Sequence, residues 1–284
     1  MNQYQAAQIK QRFNRAAQTY NDKAVICQEV GDRLLERLAF LKIKPERIVD
    51  LGCGTGYCTT KLEKIYPGAQ LIAVDFADKL LAQVSPAYQK HLAHASVLPF
   101  PDGGMDFILS NLMLPWCDDV GLIIQEVNRV LKPGGLFCFS TFGPDTAKEI
   151  KETWARIDDA PHVHPCLDMH DVGDRLSQAS FTDVVMEVEH LVFTYSDSIA
   201  LVKELKAIGF TNVLANRQRG LLGKNKWDTF LKIYPLNEKG RAPLSLEVVY
   251  GHAWKSEPKK PEGPDESTVS LEQLYRNIRQ QIKK

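Results

Sequence analysis

The chain has 284 residues, and its 35 lysines and arginines are offset by 35 aspartates and glutamates. That balance excludes a surface built as a whole to coat nucleic acid or an anionic membrane, and a 44% share of hydrophobic residues excludes global disorder. No apolar run reaches the roughly 18 residues that span a bilayer, the N-terminus lacks a secretory core, and the six cysteines contain no Cys-x-x-Cys pair, so the expectation is a cytoplasmic protein with reduced thiols and no metal site.

In chain order, the first forty residues predict helix. Ile26, Val30, Leu34, Leu38 and Leu41 recur at helical spacing beside a face carrying Glu29, Asp32, Arg33 and Glu36. The segment before it, from Phe13 to Tyr20, is less amphipathic and has an aromatic at each end. Residues 47–50 predict a buried strand that runs into Gly52-Cys53-Gly54-Thr55-Gly56, a helix start, and a second strand at 71–75 ending in Asp75. Glycines there let the backbone turn sharply and let a ligand lie against it, which is a nucleotide-type site. A dinucleotide fingerprint would place its third glycine at position 57, which is Tyr57; here it falls one residue earlier, at Gly56.

Further on, residues 79–82 predict helix, 91–96 a short strand, 105–111 a strand and 120–131 a helix stopped by Lys132-Pro133-Gly134-Gly135. A strand at 136–142, helices at 146–157 and 169–179, a long strand at 183–195 and a last strand at 244–250 follow. Alternating strands and helices predict an α/β fold with a parallel sheet covered on both faces. The domain reading is an N-terminal helical segment over the site at 1–45, a main domain at 46–255 with a basic helical insertion at 198–241, and a linker with a tail helix at 256–284. Between Leu201 and Arg241, nine basic side chains face three acidic ones, a local excess that suits an acidic substrate or partner.

The pattern Asp50-x-Gly52-x-Gly54-x-Gly56, with Asp75 19 residues beyond Gly56, resembles class I S-adenosylmethionine-dependent methyltransferases. So does the order Asp106-Phe107-x-x-Ser110-Asn111, then Leu131-Lys132-Pro133-Gly134-Gly135, then an apolar strand. The resemblance implies a Rossmann-like, mostly parallel seven-stranded sheet and S-adenosylmethionine as cofactor, leaving S-adenosylhomocysteine as product. It implies cofactor contacts from Asp50, Gly52, Gly54, Gly56, Asp75, Phe76, Asn111 and Leu112, with Asp75 accepting from the ribose hydroxyls. Where that class commonly has an acid facing the adenine amino group, this chain has His94-Ala95-Ser96; either a neutral His94 nitrogen or backbone atoms of Ala95 and Ser96 would serve.

Narrower motifs resemble the malonyl-acyl carrier protein O-methyltransferases: Phe13-Asn14-Arg15-Ala16-Ala17-x-x-Tyr20, Ser110-Asn111-Leu112-x-x-x-Trp116-Cys117, Leu205-Lys206-x-Ile208-Gly209-x-Thr211-Asn212 with Asn216-Arg217, and Val248 to Trp254. That family methylates the free carboxylate of a malonyl thioester early in biotin synthesis. The resemblance implies a malonyl-phosphopantetheine on an acidic acyl carrier protein, or malonyl-coenzyme A, as partner, with no role for nucleic acid or membrane. A malonyl carboxylate is ionised at neutral pH, so no general base is expected. Tyr20 as a lid residue and Arg217 as a carboxylate fork are the expected positioning groups, and Lys206, Arg217, Arg219, Lys224 and Lys226 the expected partner-facing ones. Trp254-Lys255 and Thr268-Val269-Ser270 also resemble the mitochondrial arginine hydroxylase that assists complex I assembly. A non-catalytic cofactor-binding module and a methyltransferase for another small acid stay open as further readings.

Overall fold

The computed structural model describes residues 3–215, 217, 220 and 223–257. Its strands are β1 (Arg47–Leu51), β2 (Gln70–Asp75), β3 (Gln89–Leu92), β4 (Met105–Asn111), β5 (Leu131–Phe142), β6 (Phe181–Tyr195) and β7 (Ala242–Lys255). Its helices are α1 (Gln3–Lys23), α2 (Val25–Arg37), α3 (Tyr57–Ile65), α4 (Asp78–Leu81), α5 (Val120–Val130), α6 (Lys148–Ala155), α7 (Met169–Gln178), α8 (Ser198–Ala207) and α9 (Lys224–Ile233).

Successive side chains of the central strands point to opposite faces, and here both faces are apolar. Ile48, Phe107, Leu109, Leu136 and Cys138 share one core with Ile26, Val30 and Leu34 of α2. Val49, Ile108, Phe137 and Phe139 share the other with Ile123, Ile124 and Val127 of α5 and Val172 and Leu176 of α7. The two-sided core forces a sheet sandwiched between helix layers, with strand order β3-β2-β1-β4-β5-β7-β6. Strands β1 to β5 pair in parallel, while β7 runs antiparallel to both β5 and β6. The mostly parallel seven-stranded fold expected from the sequence is the fold observed.

Chain order reverses between β1 and β4, so a crevice opens beyond the carboxyl ends of these two strands. Helix α1 closes over that end: Ile9, Phe13 and Ala17 pack with Ala77, with Leu80 of α4 and with Val213.

Three boundaries differ most from expectation. Strand β3 lies at Gln89–Leu92 rather than at 91–96, because it is a short edge strand with little burial to leave an apolar period. Strand β5 begins at Leu131, and the Lys132-Pro133-Gly134 stop is absorbed as an irregularity in its pairing with β4. Strand β7 continues through Gly251, where an added Cβ would lie 2.4 Å from the Phe139 ring; the glycine makes room for that ring rather than ending the strand. Lys255 closes the sheet, its Nζ donating to the Leu131 carbonyl at 2.8 Å. The tail helix and Thr268-Val269-Ser270 lie outside the described residues. No helix among the described residues is long and apolar enough to cross a membrane.

Candidate active site

The turn after β1 is held by backbone bonds: Gly52 and Cys53 N–H both donate to the Val74 carbonyl, at 2.8 and 3.1 Å. Gly52 and Gly54 have φ of +76° and +56°, the left-handed region that costs other residues roughly 1–2 kcal/mol. A Cβ on Gly52 would fall 2.5 Å from Met113 Cγ, and one on Gly54 3.5 Å from the Tyr20 ring. The turn is therefore a floor covered chiefly by two side chains.

Asp75 stands at the end of β2 and is 8% exposed. Its Oδ1 accepts from Ala77 N–H at 2.7 Å and its Oδ2 from Gly54 N–H at 2.8 Å. Burial pushes its pKa up to about 6 against the pull of those amides. Asp50 is more deeply buried; its Oδ2 accepts from the Thr59 hydroxyl at 2.6 Å, while its Oδ1 has no partner among the described residues. Burial raises Asp50 to about 6 as well, and the charge of Asp75 adds to the rise.

Two small cavities, of about 50 and 30 Å³, lie on this floor and share Gly52, Asp75, Phe76, Met113 and Trp116. Tyr20, Gly54, Asn111 and Leu112 line the first, and His94 and Ala95 the second. Small-molecule sites run to roughly 300 Å³ or more, so a nucleoside ligand requires the two to merge and to widen well beyond their combined volume. Met113 is placed to allow this, being a flexible thioether that lies over Gly52. With that movement, a glycine floor, a buried carboxylate and an orphaned Asp50 oxygen beneath the turn fit an adenosyl cofactor.

The other expected cofactor residues divide by their bonding. Asp50, Gly56 and Ser96 line neither cavity; Asp50 and Gly56 support the turn from beneath. Asn111 lines one, yet its amide is committed: Nδ2 donates to Cys27 O at 2.8 Å and Oδ1 accepts from the Ser140 hydroxyl at 2.7 Å. Leu112 takes φ of +53°, and its N–H bonds to both the Ser140 carbonyl and Oγ. Ser140, unseen in the sequence reading, fixes the loop after β4. At His94, Ser96 N–H donates to Nδ1 at 3.2 Å, and burial lowers the ring's pKa. The neutral ring then carries its proton on Nε2, which suits a ring nitrogen of a base better than its amino group.

Tyr20 projects from α1 onto Gly54 and donates to Cys27 Sγ at 3.5 Å; burial raises its phenol well above the ordinary value, so it stays neutral. Trp116 lines both small cavities and opens onto a third of about 790 Å³. Its ring meets Phe13 at 5.2 Å and Phe210 at 5.1 Å between centroids. This aromatic junction draws on residues near positions 13, 116 and 210, and only the fold brings them together.

The large cavity is walled by α6, α8, α9 and β7 and is chiefly apolar, with Trp154, Phe142 and Phe230 among its lining. Lys206, Arg217 and Lys224 line it too, whereas Tyr20 does not. Arg217 Nη1 donates to the Leu214 carbonyl at 2.7 Å. Lys226, also expected to face a partner, is not in the cavity wall; its Nζ pairs with Asp158 at 2.7 Å, tying α9 to the segment after α6. Desolvation would raise Asp158, but Lys226 and His162 together hold it down to about 2. Arg219 lies outside the described residues.

Comparison with known proteins matches residues 49–139 to the family described as "Methyltransferase domain". Malonyl-[acyl-carrier protein] O-methyltransferase 1 of Coxiella burnetii is 41% identical over 94% of this chain and 95% of its own length. The Legionella pneumophila protein of that name is 35% identical over 95% and 98%. Among solved structures, the YcgJ protein from Bacillus subtilis aligns with a TM-score of 0.58 at 17% identity, over 79% of this chain and 98% of that one. A Haemonchus contortus phosphoethanolamine N-methyltransferase in complex with S-adenosyl-L-methionine aligns at 0.51 and 17%, over 80% and 53%. These structures share the fold, and identity along nearly the whole length decides the family: the chain belongs to the malonyl-[acyl-carrier protein] O-methyltransferases.

Proposed function

We propose that this protein methylates the free carboxylate of a malonyl group carried as a thioester on an acidic acyl carrier protein, opening biotin synthesis. The observation that carries the reading is the large cavity joined to the glycine floor through Trp116, with Arg217 in its wall. S-adenosylmethionine, when bound, supplies an electrophilic methyl group. Gly52, Gly54, Asp75, Phe76 and His94 are the residues that would hold it, and Asp50 supports the turn beneath.

The carboxylate is already a nucleophile at neutral pH, so the residues contribute orientation and exclusion of water. Phe13, Tyr20, Trp116 and Phe210 wall the junction against solvent. Arg217 holds one carboxylate oxygen in its fork and leaves the other free. Arg217→Ala is expected to raise KM for the malonyl thioester roughly tenfold, as loss of one charge-assisted bond would. An unchanged KM and turnover would remove Arg217 from the site.

The carrier protein's negative surface would meet Lys206 and Lys224 at the cavity wall. Lys206→Gln with Lys224→Gln is expected to raise KM about fivefold at low ionic strength and to converge on the wild type at high salt. A salt dependence identical to the wild type would place the docking surface elsewhere. The reading as a whole is tested by following labelled methyl from S-adenosylmethionine into a product that mild base releases as methanol, since an ester hydrolyses where an N- or C-methyl group does not.

A further inference from the structure

His164 stands where the large cavity meets the aromatic junction. Its ring lies 5.4 Å from that of Trp116, and it lines both the large cavity and a neighbouring one of about 460 Å³. Val213 N–H donates to its Nε2 at 3.2 Å. A nitrogen that accepts carries no proton, so the neutral ring holds its proton on Nδ1. Among the described residues Nδ1 has no partner, and the ring lines the large cavity that Arg217 also lines. Burial lowers the ring's pKa; Asp118 opposes that fall and Arg217 adds to it. Protonation would also set Nε2–H against the Val213 amide. The result is a neutral donor near a guanidinium, with no group among the described residues using its proton.

We propose that His164 binds substrate directly, donating from Nδ1 to the malonyl carboxylate that Arg217 also holds. The proposal rests on the methyl-transfer reading above. A neutral donor fixes the rotation of the carboxylate without adding a second cation, so the free oxygen keeps its nucleophilic charge.

Two substitutions separate this role from a purely structural one. Asparagine carries its amide nitrogen on Cγ, as histidine carries Nδ1, and so keeps the donor while losing the acceptor for Val213. Glutamine places its amide oxygen near the Nε2 position and does the reverse. H164Q is expected to keep the wild-type melting temperature and raise KM for malonyl-acyl carrier protein roughly tenfold, the loss of one hydrogen bond to a charged group. H164N is expected to melt lower yet keep KM within about twofold of wild type. Inhibition by acetyl-acyl carrier protein, which has no free carboxylate, should be unchanged in both. The opposite pattern, with H164Q normal and H164N impaired, would reduce His164 to a prop for residue 213 and overturn the proposal. A parallel weakening of the acetyl form would overturn it too. Wild-type turnover in the same assay reports separately on methyl transfer, and its absence would sink both readings.

Discussion

Replacing Asp75 by asparagine is expected to weaken S-adenosylmethionine binding about 100-fold, the loss of two hydrogen bonds to a charged acceptor. The carboxylate now accepts one backbone amide on each oxygen, from Ala77 and from Gly54. Each oxygen has a second lone pair, which a ribose hydroxyl would occupy. An asparagine nitrogen would confront one of those two amides, donor against donor. Titration calorimetry gives the affinity directly, and a value equal to wild type would remove Asp75 from cofactor binding.

The same carboxylate sets a pH dependence. Its pKa of about 6 lies above the ordinary 3.8, so the folded protein binds more protons than the unfolded chain between those values. Its contribution to stability without cofactor therefore falls as pH rises through that window. Cofactor binding runs the other way, because hydroxyl donors favour the ionised form. Wild-type affinity is expected to fall as pH drops below about 6. Asp50 shares the range and repels Asp75, so the inflection belongs to the pair, and in Asp75→Asn only the Asp50 part should remain.

Gly54→Ala is the second large effect, and it should spare the fold. The new Cβ would sit 3.5 Å from the Tyr20 ring, an ordinary contact, at φ of +56°. The strain costs roughly 1–2 kcal/mol, which lowers the melting temperature by a few degrees. The methyl group would stand on the floor where the cofactor approaches, so affinity should fall about 30-fold or more while the protein stays folded. Wild-type affinity in a folded Gly54→Ala protein would show that no cofactor lies against that turn.

The sequence made the central sheet readable because β1, β2 and β4 are buried on both faces and stand out as apolar runs bounded by glycine or polar turns. Strand β3 was displaced because an exposed edge strand carries no such run. The glycine turn and Asp75 were legible because their spacing along the chain is itself the site. The aromatic junction was not: Phe13, Trp116, His164 and Phe210 come from four separated segments, and only the crossing of α1 over the sheet's carboxyl edge unites them. Lys224 and Lys226 look alike in a basic stretch, yet the first lines the cavity and the second is spent on Asp158. Two residues along a helix is about half a turn, enough to separate a binding face from a structural one.

Intact-mass spectrometry of malonyl-acyl carrier protein, incubated with the protein and S-adenosylmethionine, tests the central claim most directly. The expected result is a gain of one CH2 unit on the malonyl form and none on acetyl-acyl carrier protein, which lacks a free carboxylate. No gain on the malonyl form, with cofactor binding verified by calorimetry, would contradict carboxylate methylation; equal gain on both forms would place the methyl group elsewhere on the carrier.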